Sequence, residues 1–433
     1  MTTADLAALG ANVTVYNFLQ YALTGIAMST LSLVGTVRAG AASGGSNAAR
    51  QAARRDKDDD ADGSANERDA RARGGEVVGA GLLVAVVVGV LAACTLWLFG
   101  ERVLLVEGEV LARALEYLHV RALSLPLLLA TMVANSALFA QKDTVTPAKA
   151  VVASVALNSA GNALNALVIK AGVAGVAWAT VFAEGAVAVL MLRALAAHPA
   201  YLLRVPSPRA LARFVSSSAV LCSMYVLKNT CYLLIQSAGV SLGLVRGAAH
   251  QAVWAVWAMF SFCTSPFDHT AVTFLSRARG DAQERRRLLR LCATCGASIG
   301  LLLGAVTAVL PYAAPWLLTP DTAVWQAMRT TSWQALIALA LCGVETTLGG
   351  ALIERGLFRA QTAGMLINVC ATGGFLFSRW DTLDLAQVWW ALVLFFTVRT
   401  SFSLVWLALL SDRADKRVAA ERAPPTKAAS GEA

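Results

Sequence analysis

Charge is scarce in this chain. Asp, Glu, Lys and Arg make up 15% of 433 residues, against about 25% in an ordinary soluble domain. A water-solvated globule is therefore excluded. Period-2 alternation of apolar and polar residues is missing as well, which argues against a membrane β-barrel. There is no phosphate-cradling glycine loop, no Ser/His/Asp constellation and no HExxH. Neither an enzyme nor an ATP-driven pump is expected, and no cofactor. The net charge is +9, but no basic stripe lies on a soluble domain, so nucleic acid is not an expected partner.

What the chain does have is a rhythm. Roughly every thirty residues a long apolar run gives way to a short connector carrying Lys or Arg. The runs are rich in Ala, Val and Leu, and hydrophobic residues total 57%. A helix of about 20 apolar residues crosses a hydrocarbon core about 30 Å thick, and only helices or closed barrels satisfy their backbone there. The fold class is thus all-α, a polytopic membrane protein. Eleven spans are predicted, at 11–36, 77–99, 115–140, 146–169, 173–197, 209–236, 244–276, 288–312, 326–352, 359–378 and 385–410.

Alternate connectors hold the positive charge. The set 37–76, 141–149, 193–213, 277–290, 353–359 and 411–433 contains 27 of the 36 Lys and Arg, and the opposite set only six. The positive-inside rule places the rich set, with the C-terminus, in the cytoplasm or stroma and the N-terminus outside. The eight cysteines fall within spans or at their ends; Cys292 and Cys295 form a CxxC with no second pair or His cluster, so they read as buried thiols rather than metal ligands. Residues 38–75 are small and mixed in charge, which predicts a disordered cytoplasmic loop, and 411–433 a disordered tail. No signal or transit peptide is visible.

The halves echo one another weakly. Ala7–Asn12 opens a span that ends near Arg38, as Ala248–Gln251 opens one that ends near Arg279. The turn before Asn158 is echoed by the turn before Asn368. These alignments pair span one with span seven and leave span six without an upstream partner. They divide the chain into a first lobe of five helices, 1–200, and a second of six, 201–410. A duplicated transporter has six plus six, so a truncation of about one helix at the N-terminus is expected.

The most specific stretch is 117–185. It reads YLHVRALSLP, then KDTVTP at 142–147, then Asn158 with Asn162, then GVAGVAWATVFAEG at 172–185. This resembles the multidrug and toxic compound extrusion (MATE) family, in the branch of DNA-damage-inducible transporters and their plastid relatives. The physics of the motif stands apart from the name. Pro126 kinks a helix near Arg121, Pro147 starts the next, and Gly172, Gly175, Ala177 and Ala179 let helices approach closely. The resemblance implies twelve helices in two six-helix lobes, a central V-shaped cavity, and export of small organic compounds in exchange for H⁺ or Na⁺. It makes a plastid envelope one candidate location.

Ionisable groups within spans are costly and mark candidate sites. Glu184 is either a hydrogen-bonded acid against a neighbouring helix or a cavity-facing proton acceptor. The family usually has Gln there. Asp268 and His269 follow Pro266 and read as a titrating pair at the inner mouth or a wet kink. Glu345 and Arg399, in neighbouring spans of one lobe, suggest a buried pair serving as clamp or switch. Lys228 has no obvious partner. The polar set Asn17, Asn135, Asn158, Asn162 and Gln251 is expected at the cavity or as interhelical hydrogen bonds. Asn158 and Asn162, four apart, share a face. In the resembling branch the position of Asn162 often holds a coupling Asp, so coupling here is expected to shift to Asp268, Glu345 or Glu184, or to be lost. Trp254 and Trp257 either stack substrate or contact lipid.

The expected function is a cation-coupled antiporter for organic compounds or xenobiotics, working as a monomer in the bilayer by alternating access. The rivals are a flippase for a lipid-linked head group and a degenerate, non-transporting relative.

Overall fold

The computed structural model describes residues 3–52, 59–104, 108–278 and 281–422, and among them no strand is present. Fourteen α-helices follow in order: α1 Thr3–Ala52, α2 Asp59–Leu104, α3 Gly108–Ala122, α4 Leu125–Ala140, α5 Val145–Leu164, α6 Gly172–Ala197, α7 Pro208–Ser241, α8 Leu244–Thr264, α9 Pro266–Arg277, α10 Ala282–Ala313, α11 Thr322–Arg329, α12 Ser332–Glu354, α13 Phe358–Phe377 and α14 Leu385–Arg422. Nine described helices are long and apolar enough to cross a membrane, and the bent pair α3–α4 makes a tenth. The chain is a multi-pass integral membrane protein.

The predicted runs become helices, but two of them break within their length, and a third, 326–352, starts in α11 and crosses a turn at Thr330–Thr331 before α12. Between α3 and α4 the axis bends by 47°. Pro126 sits in the first turn of α4 and lacks the N–H that would continue α3. The span expected at 244–276 is divided at Ser265, because Pro266 opens α9. Ser265 N–H donates to the Phe262 carbonyl, 3.2 Å away. That satisfies the acceptor which the proline ring leaves without its usual donor.

The polar connector expected to be disordered over 38–75 is largely helical instead. α1 runs on to Ala52 and α2 begins at Asp59; residues 53–58 lie outside the described residues. Alanine and arginine are strong helix formers, and Asp69 pairs with Arg73 one turn on, which adds support along the exposed face. Likewise α14 extends through Arg422 into the expected disordered tail. The remainder of that tail is outside the described residues.

Packing follows the small residues. Gly296, Gly300 and Gly304 recur every four residues along α10 and lie against Gly343, Leu339 and Leu336 of α12. A β-carbon at Gly300 would stand 2.4 Å from the Leu339 carbonyl oxygen, so only a backbone without side chains fits. This is close helix approach through a small-residue face. At the opposite extreme, only 6% of α5's spanning stretch is buried, and Val151, Val152 and Val155 are exposed there as a lipid-facing surface.

Candidate functional site

Buried arginine–glutamate pairs occur in both halves of the chain: Arg121 with Glu184 in the first, and Arg399 with Glu345 and Arg285 with Glu354 in the second. In the first half, Arg121 at the end of α3 donates from Nη1 to Glu184 Oε2 on α6, at 2.8 Å. The guanidinium stands over the Tyr16 ring, 4.2 Å from its centre. Tyr16 Oη and Ser124 Oγ lie 3.1 Å apart, and Ser124 Oγ donates to the Arg121 carbonyl. The α3–α4 break therefore exposes a carbonyl that a side chain at once takes up. Glu184 is an ion-pair partner rather than a lone acid.

In the second half, Arg399 Nη2 on α14 meets Glu345 Oε1 on α12 at 2.5 Å. Glu345 is 3% exposed and Arg399 11%, which bears out the expectation of a buried pair. The same cavity is also lined by Tyr225 and Lys228 of α7, Asp268 of α9 and Gln361 of α13. Its volume is about 30 Å³, room for one or two waters. Gly350 lets α9 come close: a β-carbon there would stand 2.5 Å from the Asp268 carbonyl oxygen. Asp268 lies in the first turn of α9, where the helix dipole favours a carboxylate. Its Oδ1 accepts from the His269 backbone N–H at 2.6 Å. Gln361 Nε2 donates to the Gly349 carbonyl at 2.8 Å.

The structure gathers Lys228 into this chamber, which the sequence did not suggest. Its Nζ has neither an acceptor nor an ion-pair partner in contact among the described residues; the face of Tyr232 lies 5.8 Å away. Arg399 Nη1 is likewise buried without a hydrogen bond there.

His269 does not line the chamber itself, but its Nε2 lies 3.7 Å from Asp268 Oδ1. Its ring packs against Phe139 of α4, 5.5 Å between centres, in a seam between the halves. Thr273 Oγ1 donates to the Phe139 carbonyl at 3.4 Å, and Arg277 Nη2 to the Ala140 carbonyl at 3.3 Å. Ser32 Oγ donates to the Ile353 carbonyl at 3.0 Å. Lys142 lies over the Phe274 ring at 4.4 Å. All these contacts lie where α1, α4, α9 and α12 reach the Lys/Arg-rich connectors. Burial, and then the charge of Arg277, hold the Lys142 ammonium below its ordinary range.

Several other candidates sit elsewhere. Asn162 Nδ2 donates to Asn158 Oδ1 at 2.7 Å, so these two bond along α5 instead of bridging helices. The one-turn spacing makes that bond local. Asn17 and Gln251 are exposed, and Gln251 Nε2 lies 3.5 Å from Gln236 Oε1. Asn135 is half-buried, with its Oδ1 unpartnered among the described residues. Trp257, at 2% exposure, is core: it packs on Tyr232, Trp254 and Phe396, so it neither stacks a ligand nor meets lipid. Trp254 packs on His250 and Trp389.

With this geometry in hand, likeness to known proteins can be placed on it. A family model described as MatE matches residues 63–164, which span α2 to α5. Two Arabidopsis thaliana proteins are related. Protein DETOXIFICATION 47, chloroplastic, is 28% identical over 251 residues, 57% of this chain and 46% of that protein. Protein DETOXIFICATION 44, chloroplastic, is 24% identical over 286 residues, 66% and 55% of the two. The chain spans about half the length of the curated relatives it matches. A solved outward-facing conformation of a multidrug resistance MATE family transporter of the MOP superfamily superposes with TM-score 0.81 at 15% identity, covering 96% of this chain and 90% of that one. A crystal structure of MATE in complex with MaD3S gives 0.80 at 15%, with the same coverage.

The chain is similar to the MatE family over residues 63–164 and shares the fold of solved MATE transporters. In this MATE-type fold the match of residues 63–164 includes Arg121 and its proline break but stops short of the second-half chamber. The chamber is thus described by this chain's own residues.

Proposed function

We propose that this MATE-type chain is a secondary active transporter. It exports small organic compounds in exchange for H⁺ or Na⁺ by alternating access between its halves. The observation that carries the proposal is the second-half chamber, where Lys228, Asp268, Glu345 and Arg399 converge from four helices. Such a set is costly in a membrane and has no purpose in a passive scaffold. An ion that binds one arrangement of these charges better than another shifts the balance between conformations. The broken helices at Pro126 and Pro266 supply movable joints of the kind found at transporter sites.

On this reading the Lys/Arg-rich end faces the cytoplasm or stroma. The seam of Ser32, Phe139, His269 and Arg277 then closes the inner mouth, in an outward-facing state. Relatives named chloroplastic support a plastid envelope location. We propose transport rather than catalysis, by a single copy of the chain. A head-group flippase would call for a cavity lined mainly by bases; this chamber balances two bases with two acids.

The test is flux in proteoliposomes with a cationic dye and an imposed pH gradient. Gradient-dependent dye movement, lost in Glu345→Gln or Asp268→Asn, is expected. Dye unmoved by the wild-type chain under either gradient direction would overturn the proposal for this substrate class.

A further inference from the structure

We infer that Lys228 is a built-in counter-ion, whose ammonium takes the place of a monovalent metal cation in the second-half chamber and makes that chamber insensitive to sodium. This deepens the transport reading, on which it depends only for the word coupling.

The charges decide it. With both acids ionised, and with His269, whose Nε2 lies 3.7 Å from Asp268 Oδ1, neutral, Asp268 and Glu345 contribute two negative charges to one cavity, and Arg399 and Lys228 contribute two positive ones. Arg399 is committed to Glu345 by direct contact. Lys228, on its flexible four-carbon stem, is the movable charge that brings the sum to zero. Among the described residues its ammonium is held in no ion pair of its own, and the Tyr232 face lies 5.8 Å away.

Space does not keep a metal ion out. The cavity of about 30 Å³ has room for a water-sized particle, and Tyr225, Thr346 and Gln361, which carry uncharged oxygens, are among the residues that line it. Hard monovalent ions take such oxygens readily in principle. What opposes an ion is electrostatics: entering an already neutral, weakly polarisable chamber, it leaves one uncompensated charge. Removing the lysine charge leaves the chamber at minus one, with oxygens already in place. The described residues hold no cluster of three or more His, Cys, Asp or Glu that could hold a metal ion; the ion tested is a monovalent one, whose single charge matches that of the ammonium it would replace.

The test measures binding first. The full chain in detergent micelles is melted, followed by tryptophan fluorescence, with Na⁺ exchanged for choline at constant ionic strength. The wild type is expected to melt at the same temperature in both. Lys228→Met is expected to gain a Na⁺-dependent rise of about 2 °C or more. Lys228→Arg, which keeps the charge, is expected to stay insensitive. Adding Glu345→Gln to Lys228→Met is expected to abolish the gained response. If Lys228→Met does not fold, Lys228→Gln carries the same expectation. A wild type stabilised by Na⁺, or a neutral variant as insensitive as the wild type, overturns the inference. In a second arm, a Na⁺ gradient is expected to drive dye flux through the neutral variant and not the wild type. Absence of all flux there counts against the transport reading alone, because the melting arm needs no transport.

Discussion

Removing the arginine paired with Glu345 should cost several times as much as losing an ordinary interhelical hydrogen bond. Arg399→Met leaves Glu345, 3% exposed, in a chamber with Asp268 and only Lys228 for compensation. Stripping one partner from a buried ion pair costs about 3–5 kcal/mol. An ordinary interhelical hydrogen bond in a membrane averages only about 0.6 kcal/mol, so the two cases are separable. At about 2 °C per kcal/mol for a chain of this size, the melting temperature in micelles should fall by roughly 6–10 °C. Lys228 can swing toward the freed carboxylate, which puts the expectation at the lower end. Glu345→Gln should fall similarly, since it strands a guanidinium whose Nη1 already lacks a partner. The double variant Arg399→Met/Glu345→Gln removes both charges and should recover most of the loss. The assay is thermal melting of all four proteins side by side. Single variants within about 1 °C of wild type, a shift smaller than one ordinary membrane hydrogen bond predicts, would refute the reasoning. So would losses that simply add in the double variant, since additivity means the two groups are not coupled.

The seam can be tested by cross-linking. A β-carbon at Gly35 would lie 3.2 Å from Ser276 Cβ, close to the separation of about 3.8 Å in a disulfide. Gly35→Cys/Ser276→Cys, with the native cysteines replaced, should therefore oxidise readily, arrest dye flux, and recover it on reduction; failure to cross-link would argue against the closed seam. Gly300→Leu should prevent folding, because its side chain meets the Leu339 backbone; a normal yield of monodisperse protein would contradict the glycine ladder. Asp143 caps the start of α5, its Oδ1 accepting from the N–H groups of Val145 and Thr146 at 3.1 and 3.0 Å. Burial pulls its carboxyl up, but these hydrogen bonds outweigh it and hold the group below its ordinary 3.8. Its contribution is thus present above that pH and fades as pH falls through the lower folded value. Asp143→Ala should cost about 1 kcal/mol at neutral pH, and the gap between the two melting curves should close in acid; a gap that widens there would reverse the sign.

The positions of the membrane spans were legible because apolar runs and basic connectors report on the bilayer itself, a constraint that acts residue by residue. The pairing of Glu345 with Arg399 was legible for the same reason, as two opposite charges in neighbouring spans have few other places to hide. Lys228 was not, since its chamber is assembled from helices that follow one another irregularly in sequence, and nothing near residue 228 shows what faces it. Glu184 was read alone because its partner, Arg121, lies 63 residues away and was accounted for by the adjacent proline. The Asn158–Asn162 spacing named a shared face correctly but not what that face meets. Trp257 looked available because aromatic residues on a helix face read the same whether that face meets lipid, ligand or core. The helical extension of the polar connector was missed because composition weighed its lack of apolar surface and not its alanine content.

The glycine ladder between α10 and α12 has a mechanical corollary. Two helices whose main chains touch cannot slide or roll against each other without collision, so they behave as a stiff two-ply plank. Whatever bending the second half undergoes is pushed out of that plank and onto the joint at Ser265–Pro266, one turn from Asp268. Flexing and charge rearrangement would then share a single location.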